Sequence, residues 1–235
     1  MTRPDIHPAD ALRDASSALE PDQRTVMAAA PDAPSLASHH AEIAAIRLST
    51  SIPEPIAIQF EVARNLYLYA WYVYRFYMTA SAQALATLEL GLRERLRSSL
   101  LEQNPKSSPR LRNLLHHAID IGLVKNEGFR RWHRAAELSA QDRVSMEALK
   151  ARIDGQLANV DTWTPKTVEI IPEDQSWDLV SHLRNSLPKM RNELAHGSPM
   201  LTNQVWGTLE LVAEILNQLY PAPVSAEVAD TPVTT

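Results

Sequence analysis

Cysteine is absent from the 235 residues. That excludes a disulfide framework and any thiolate metal site, and it agrees with a reducing compartment. Glycine is scarce, with six residues. No Gly-rich phosphate loop, H-E-x-x-H or G-x-S-x-G pattern occurs, which argues against nucleotide hydrolysis, zinc-protease and serine-hydrolase chemistry. Long apolar runs are missing too. The longest, Leu66 to Met78, is short for a membrane span and contains Arg75. The first twenty residues have no apolar core and do not read as a secretory signal. A net charge of -5 argues against a generally basic nucleic-acid coat, though not against a local basic site. The expectation is a soluble cytoplasmic protein.

What the chain does have is 45% apolar residues, enough for a buried core. Its sixteen prolines are unevenly placed: seven lie in residues 1–55 and three after Tyr220. Residues 1–50 are therefore expected to be a mostly disordered Pro/Ala-rich extension, with a short helix within His40 to Leu48. Residues 221–235 are expected to be a disordered tail. The middle reads as all-α. Helices are expected at about 55–78, 81–103, 111–123, 127–158, 176–196 and 203–220. The first is apolar nearly all round, as a central helix is. The second carries Leu85, Leu88, Leu92, Leu96 and Leu100 at helical spacing, and the last turns Val205, Leu209, Val212, Ile215, Leu216 and Leu219 inward. Residues 160–174 lack helical period and allow a short strand at Thr167–Ile171.

The run hardest to explain as scaffold is Arg191-Asn192-Glu193-Leu194-Ala195-His196-Gly197. Arginine is a permanent cation whose planar fork of donors suits phosphate. Histidine is the side chain most suited to moving protons near neutral pH. Together they are a minimal kit for cleaving a phosphodiester without metal. A plainer reading stands beside this one. A histidine before a helix-ending glycine is an ordinary C-terminal choice, and Lys189 with Glu193 makes an i,i+4 pair.

Two stretches together resemble a known family. One is the R-N-x-x-x-H pattern of Arg191, Asn192 and His196 at the end of a late helix. The other is the E-x-x-L-R pattern of Glu89 to Arg93 on an early helix. The combination is similar to the HEPN superfamily, above all its abortive-infection-like branch, and covers about residues 51–220. The resemblance implies an up-and-down helical bundle, commonly a homodimer. It also implies metal-independent endoribonuclease activity in a toxin, stress-response or phage-defence setting. Arg191 and His196 would then be the catalytic pair, Asn192 their polar support and Glu89 an orienting group. The N-terminal extension and a segment inserted at about 127–174 depart from the minimal family fold. The partners implied are RNA, a second copy of the chain and a cognate antitoxin protein. No cofactor, metal or membrane is implied. The alternative is a non-catalytic helical module that binds RNA or protein, in which the same motif is structural.

Cleavage by 2′-hydroxyl attack needs a base, charge stabilisation on the phosphate and an acid for the leaving oxygen. His196 would move the proton, and Arg191 would clamp the phosphate. Asn192 lies four residues before His196, on the same helix face. Arg191 and His196 are five apart, about 140° around a helix of 3.6 residues per turn. Either the long arginine wraps, or Gly197 reorients the histidine, or two copies share a cleft across a two-fold axis. Pro188 loosens the turn before the motif.

Three other groups have chemistry to offer. Arg130, Arg131, Trp132 and Arg134 form the most basic patch, suited to a single-stranded backbone with a base on the indole, or else to a solvated helix face with Trp132 turned inward. His116 and Asp120 are i,i+4, but two ligands do not make a metal site. The aromatic run from Tyr67 to Tyr77 is expected on a helix, partly as core and partly as an interface.

Overall fold

The computed structural model describes residues 6–28, 35–99, 109–153, 168–197 and 201–222. Among them all regular structure is helical, and no strand occurs. The strand expected at 167–171 is absent over 168–171, and its first residue lies outside the described residues. The tail from 223 onward also lies outside them. No helix of the described residues is long and apolar enough to cross a membrane. The chain divides into two compact units, Met1–Gly91 with Met200–Thr235, and Leu92–Pro199.

In the first unit, helix α1 (Gln23–Ala28) and helix α2 (Leu36–Ala44) lie within the segment expected to be disordered. Ser35 and Ser38 close a capping box at the start of α2. His39 then docks the helix. Its ring stacks on Tyr67 at 4.6 Å between centroids, and its Nε2–H donates to the Tyr67 carbonyl over 2.8 Å. Only this tautomer satisfies a carbonyl, which can accept but not donate.

Helix α3 (Glu54–Tyr69) opens with an acid and a proline in its first turn, both suited to that end. It buries Ile56, Phe60, Ala63 and Tyr67, alternating steps of four and three along one stripe. The helix expected to run on to 78 stops here, and helix α4 (Phe76–Arg95) begins only at Phe76. The cause lies in a distant segment. Asp22 donates its N–H to the Trp71 carbonyl (2.9 Å) and accepts the Tyr74 N–H on Oδ2 (3.2 Å). Thr25 Oγ1 donates to the Ala70 carbonyl (2.8 Å). These backbone groups would otherwise continue the helix. The aromatic run is therefore bent, and Tyr67, Trp71, Tyr74 and Tyr77 turn into the core. Arg75 stays outside and pairs with Asp10 at 2.7 Å.

Helix α8 (Trp206–Leu219) is enclosed nearly all round, the place sequence periodicity assigns to the first helix. The residues expected to face inward are all buried. Gly91 of α4 leaves room for Leu216, whose side chain occupies the position a Cβ would take. Tyr220 donates its hydroxyl to the Gly91 carbonyl over 2.9 Å.

The second unit contains helices α5 (Leu111–Asp120), α6 (Arg130–Ile153) and α7 (Leu179–Ala195). α5 buries Leu111, Leu114, Leu115 and Ala118. α6 buries Trp132, Ala136 and Ala140 and is more exposed beyond. A 3₁₀ turn, Pro172–Gln175, docks on α6 through Asp174, which accepts from Arg143 Nη2 at 2.9 Å. α7 starts at Asp178, whose carboxylate accepts the Ser181 N–H over 3.1 Å. It buries Leu179, Leu183, Leu187 and Pro188.

Pro188 sits inside α7 and has no N–H to give to the Arg184 carbonyl one turn back. His116 of α5 supplies the missing donor: its Nε2 lies 3.2 Å from that oxygen. Arg184 in turn reaches Asp120 with its guanidinium. The i,i+4 pair His116 and Asp120 thus holds two helices together, with both groups engaged by Arg184. His116→Ala is expected to destabilise the protein by about 1–3 kcal/mol, the cost of stranding an acceptor. Denaturant unfolding checks this. In a Pro188→Ala background the restored N–H should remove most of that cost, giving a clearly non-additive double-mutant cycle. Additive effects would show that the two residues do not serve the same carbonyl.

Candidate functional site

α7 presents Arg191 and Asn192 one turn beyond Pro188, at i+3 and i+4, so all three share a face. Opposite stands the first turn of α5. The chain enters that helix through Arg110 in an extended conformation (φ -80°, ψ 164°), and no side chain caps it. The first helical bond is Leu114 N–H to Arg110 O at 3.2 Å. Between the two lies a hollow of about 210 Å³. Arg110, Arg112, Asn113, Arg191 and Asn192 line it, with Leu111 and Pro188 as its apolar part. Among the described residues, no carboxylate lines it. Arg110, Arg112, Asn113 and Asn192 are exposed, and Arg191 is half-buried.

His196 stands one turn further on. It follows the last residue of α7, is solvent-exposed, and donates its backbone N–H to the Asn192 carbonyl over 3.1 Å. Its side chain is not part of the hollow's wall. Gly197 ends the helix in the left-handed region with φ +81°, and its N–H donates to the Leu194 carbonyl over 3.3 Å. Lys189 and Glu193 approach to 4.0 Å as an exposed i,i+4 pair. Such pairs contribute little to stability.

The other residues singled out by sequence fall elsewhere. Glu89 is half-buried on α4 in the first unit, whereas Arg191 and His196 belong to the second. Trp132 is a core residue, 6% exposed, and its indole N–H donates to the Trp177 carbonyl over 2.8 Å. A ring so enclosed offers no platform for a base. His133 beside it donates to the Glu127 carbonyl over 2.8 Å. Arg130 and Arg134 are exposed and Arg131 is half-buried on α6. Among the described residues no three His, Asp or Glu side chains group in a way that holds a metal ion.

Arg110, Arg112 and Asn113 escape a motif search because they match no motif. Their signal is an electrostatic oddity. A helix's first turn favours acids, and this one carries arginine and no acid.

No protein-family model, no curated protein and no solved structure matches the chain.

Proposed function

We propose that the protein is a HEPN-type endoribonuclease that cuts RNA without metal, in a toxin, stress-response or phage-defence setting. The observation that supports this best is the joint accessibility of the R-N-x-x-x-H side chains. Arg191 and Asn192 open onto a hollow that no carboxylate of the described residues lines, and His196 is exposed one helical turn away. None of the three is locked in the hydrophobic interior.

In the reaction the ribose 2′-oxygen attacks the adjacent phosphorus, and the bond to the 5′-oxygen breaks. A base takes the 2′-hydroxyl proton and an acid returns one to the leaving 5′-oxygen. The products are a 2′,3′-cyclic phosphate and a 5′-hydroxyl. Arg191 stabilises the charge that grows on the non-bridging oxygens, and Asn192 holds ribose or the imidazole. His196 of one copy and His196 of a second copy would share the acid and base roles in a homodimer.

The other reading is a non-catalytic helical module. It draws on the backbone at His196, which makes an ordinary helix C-terminus, and on the absence of its ring from the hollow's wall. Induced expression of the wild type and of His196→Ala in a bacterium separates the two. Growth arrest with RNA breakdown in the wild type alone is the expected result. Harmless expression of both, or equal toxicity of both, favours the module.

A further inference from the structure

We infer that the hollow between the start of α5 and the last turns of α7 is a phosphate-group subsite, in which Arg110 and Arg112 act beside Arg191. The inference rests on the RNA-cleaving reading for the name of its ligand, a phosphodiester of the RNA backbone, and on nothing else in it. Three guanidinium-bearing residues and two side-chain amides, contributed by two helices, line one space. Among the described residues, every polar side chain in that wall is a cation or an amide. Among the described residues, neither Arg110 nor Arg112 pairs with a carboxylate.

The placement of these cations is itself unfavourable without a ligand. The start of α5 carries the positive end of the helix dipole and has no side-chain cap, yet two arginines are added there. An anion offsets both terms at once. Size narrows the choice of anion. At about 210 Å³ the space is below the roughly 300–1,000 Å³ of pockets that enclose whole small molecules. It takes a phosphate with the edge of its sugar and leaves the base outside. Arginine forks then bind the non-bridging oxygens, and the asparagine amides donate to the remaining acceptors. The subsite reads backbone, so it is indifferent to sequence.

The test uses the full chain carrying His196→Ala, so that substrate is not consumed, and a labelled single-stranded oligoribonucleotide. Affinity is followed by fluorescence anisotropy across a salt series, with and without Arg110→Gln and Arg112→Gln together. The double substitution is expected to weaken binding by about tenfold or more at low salt. It should also make the slope of log affinity against log salt shallower by about 0.7, the value for one phosphate on a single strand. A second arm records the unfolding midpoint in millimolar inorganic phosphate against equal ionic strength of chloride. A phosphate-specific rise that Arg110→Gln/Arg112→Gln abolishes, with RNA affinity unchanged, supports the subsite with free phosphate as its source. No change in either arm, with the variant's helical content intact, overturns the inference. Absence of RNA cleavage by the wild type would sink the nuclease reading while leaving these binding results in force.

Discussion

Purified His196→Ala should cleave RNA about 10²–10⁴-fold more slowly than the wild type, the range lost with a positioned proton-transfer group. RNA affinity should stay within about twofold, because the ring is asked to act on the transition state and not on bound substrate. The substitution is a clean probe. His196 is exposed, and its backbone bond to Asn192 does not depend on the side chain. Arg191→Lys should also fall, by about 10–100-fold, because an ammonium keeps the charge and loses the bidentate fork. Wild-type cleavage should be equally fast in EDTA. Activity of His196→Ala at the wild-type level, or strict dependence on added Mg²⁺, would end the metal-free imidazole mechanism.

Asp22→Ala should destabilise the first unit by about 3–5 kcal/mol, the cost of breaking a buried ion pair from one side. The Asp22 side chain is 1% exposed. It accepts from Arg24 Nη2 at 2.9 Å, from the Arg24 N–H at 3.0 Å and from the Tyr74 N–H at 3.2 Å. Arg24 reaches on to Asp10 at 2.8 Å. Losing the carboxylate strands these donors and leaves the 70–75 turn held only by the Asp22 N–H, the Thr25 hydroxyl and the Arg75–Asp10 pair among the contacts described. At about 2–4 °C per kcal/mol for a chain of about this size, the unfolding midpoint should drop by about 6–20 °C. Limited trypsin digestion should cut faster after Arg13 and Arg24. Asp22→Asn, which keeps an acceptor, should cost less.

The same cluster sets an acid limit. Arg75, hydrogen-bonded to Asp10, pulls that carboxyl down to about 2 against its own partial desolvation, with Arg24 helping. Burial pushes Asp22 up, but the Arg24 side chain and the Arg24 and Tyr74 amides outweigh it and leave its pKa below the usual value. Both groups bind protons more readily in the unfolded chain. Their stabilisation is therefore full above the unfolded value near 3.8 and is lost as pH falls toward the folded one. Asp22→Ala should lose less stability than the wild type between pH 5 and pH 2, a range set by this linkage.

Much of the helical order is legible in the sequence. The apolar face from Val205 to Leu219 places α8 within a few residues, the span expected at 111–123 contains α5, and Pro188 and Gly197 mark the interior and the end of α7. What local pattern misses is imposed from afar. Residues 66–78 read as one apolar helix because nothing near them says otherwise. The break comes from Asp22 and Thr25, which claim the carbonyls and the amide that would have continued it. The N-terminal segment is polar and rich in proline, so it looks unable to fold. Within residues 6–28 the carboxylates and arginines satisfy one another and the 70–75 turn, an ordering that hydrophobicity does not register. The candidate site divides in the same way. Arg191, Asn192 and His196 lie within six residues, visible as a string. Arg110 and Arg112 join them only through packing of α5 on α7, and that packing depends on a carbonyl left open by a proline.

At φ +81°, and with no atom of the other described residues within 4 Å of a would-be Cβ apart from its chain neighbours, Gly197 is held by handedness and not by crowding. Any L-side chain there costs about 1–2 kcal/mol, whatever the protein does. The final letter of the pattern is thus a signature of chirality, and a His-Gly ending testifies to catalysis only through its first half.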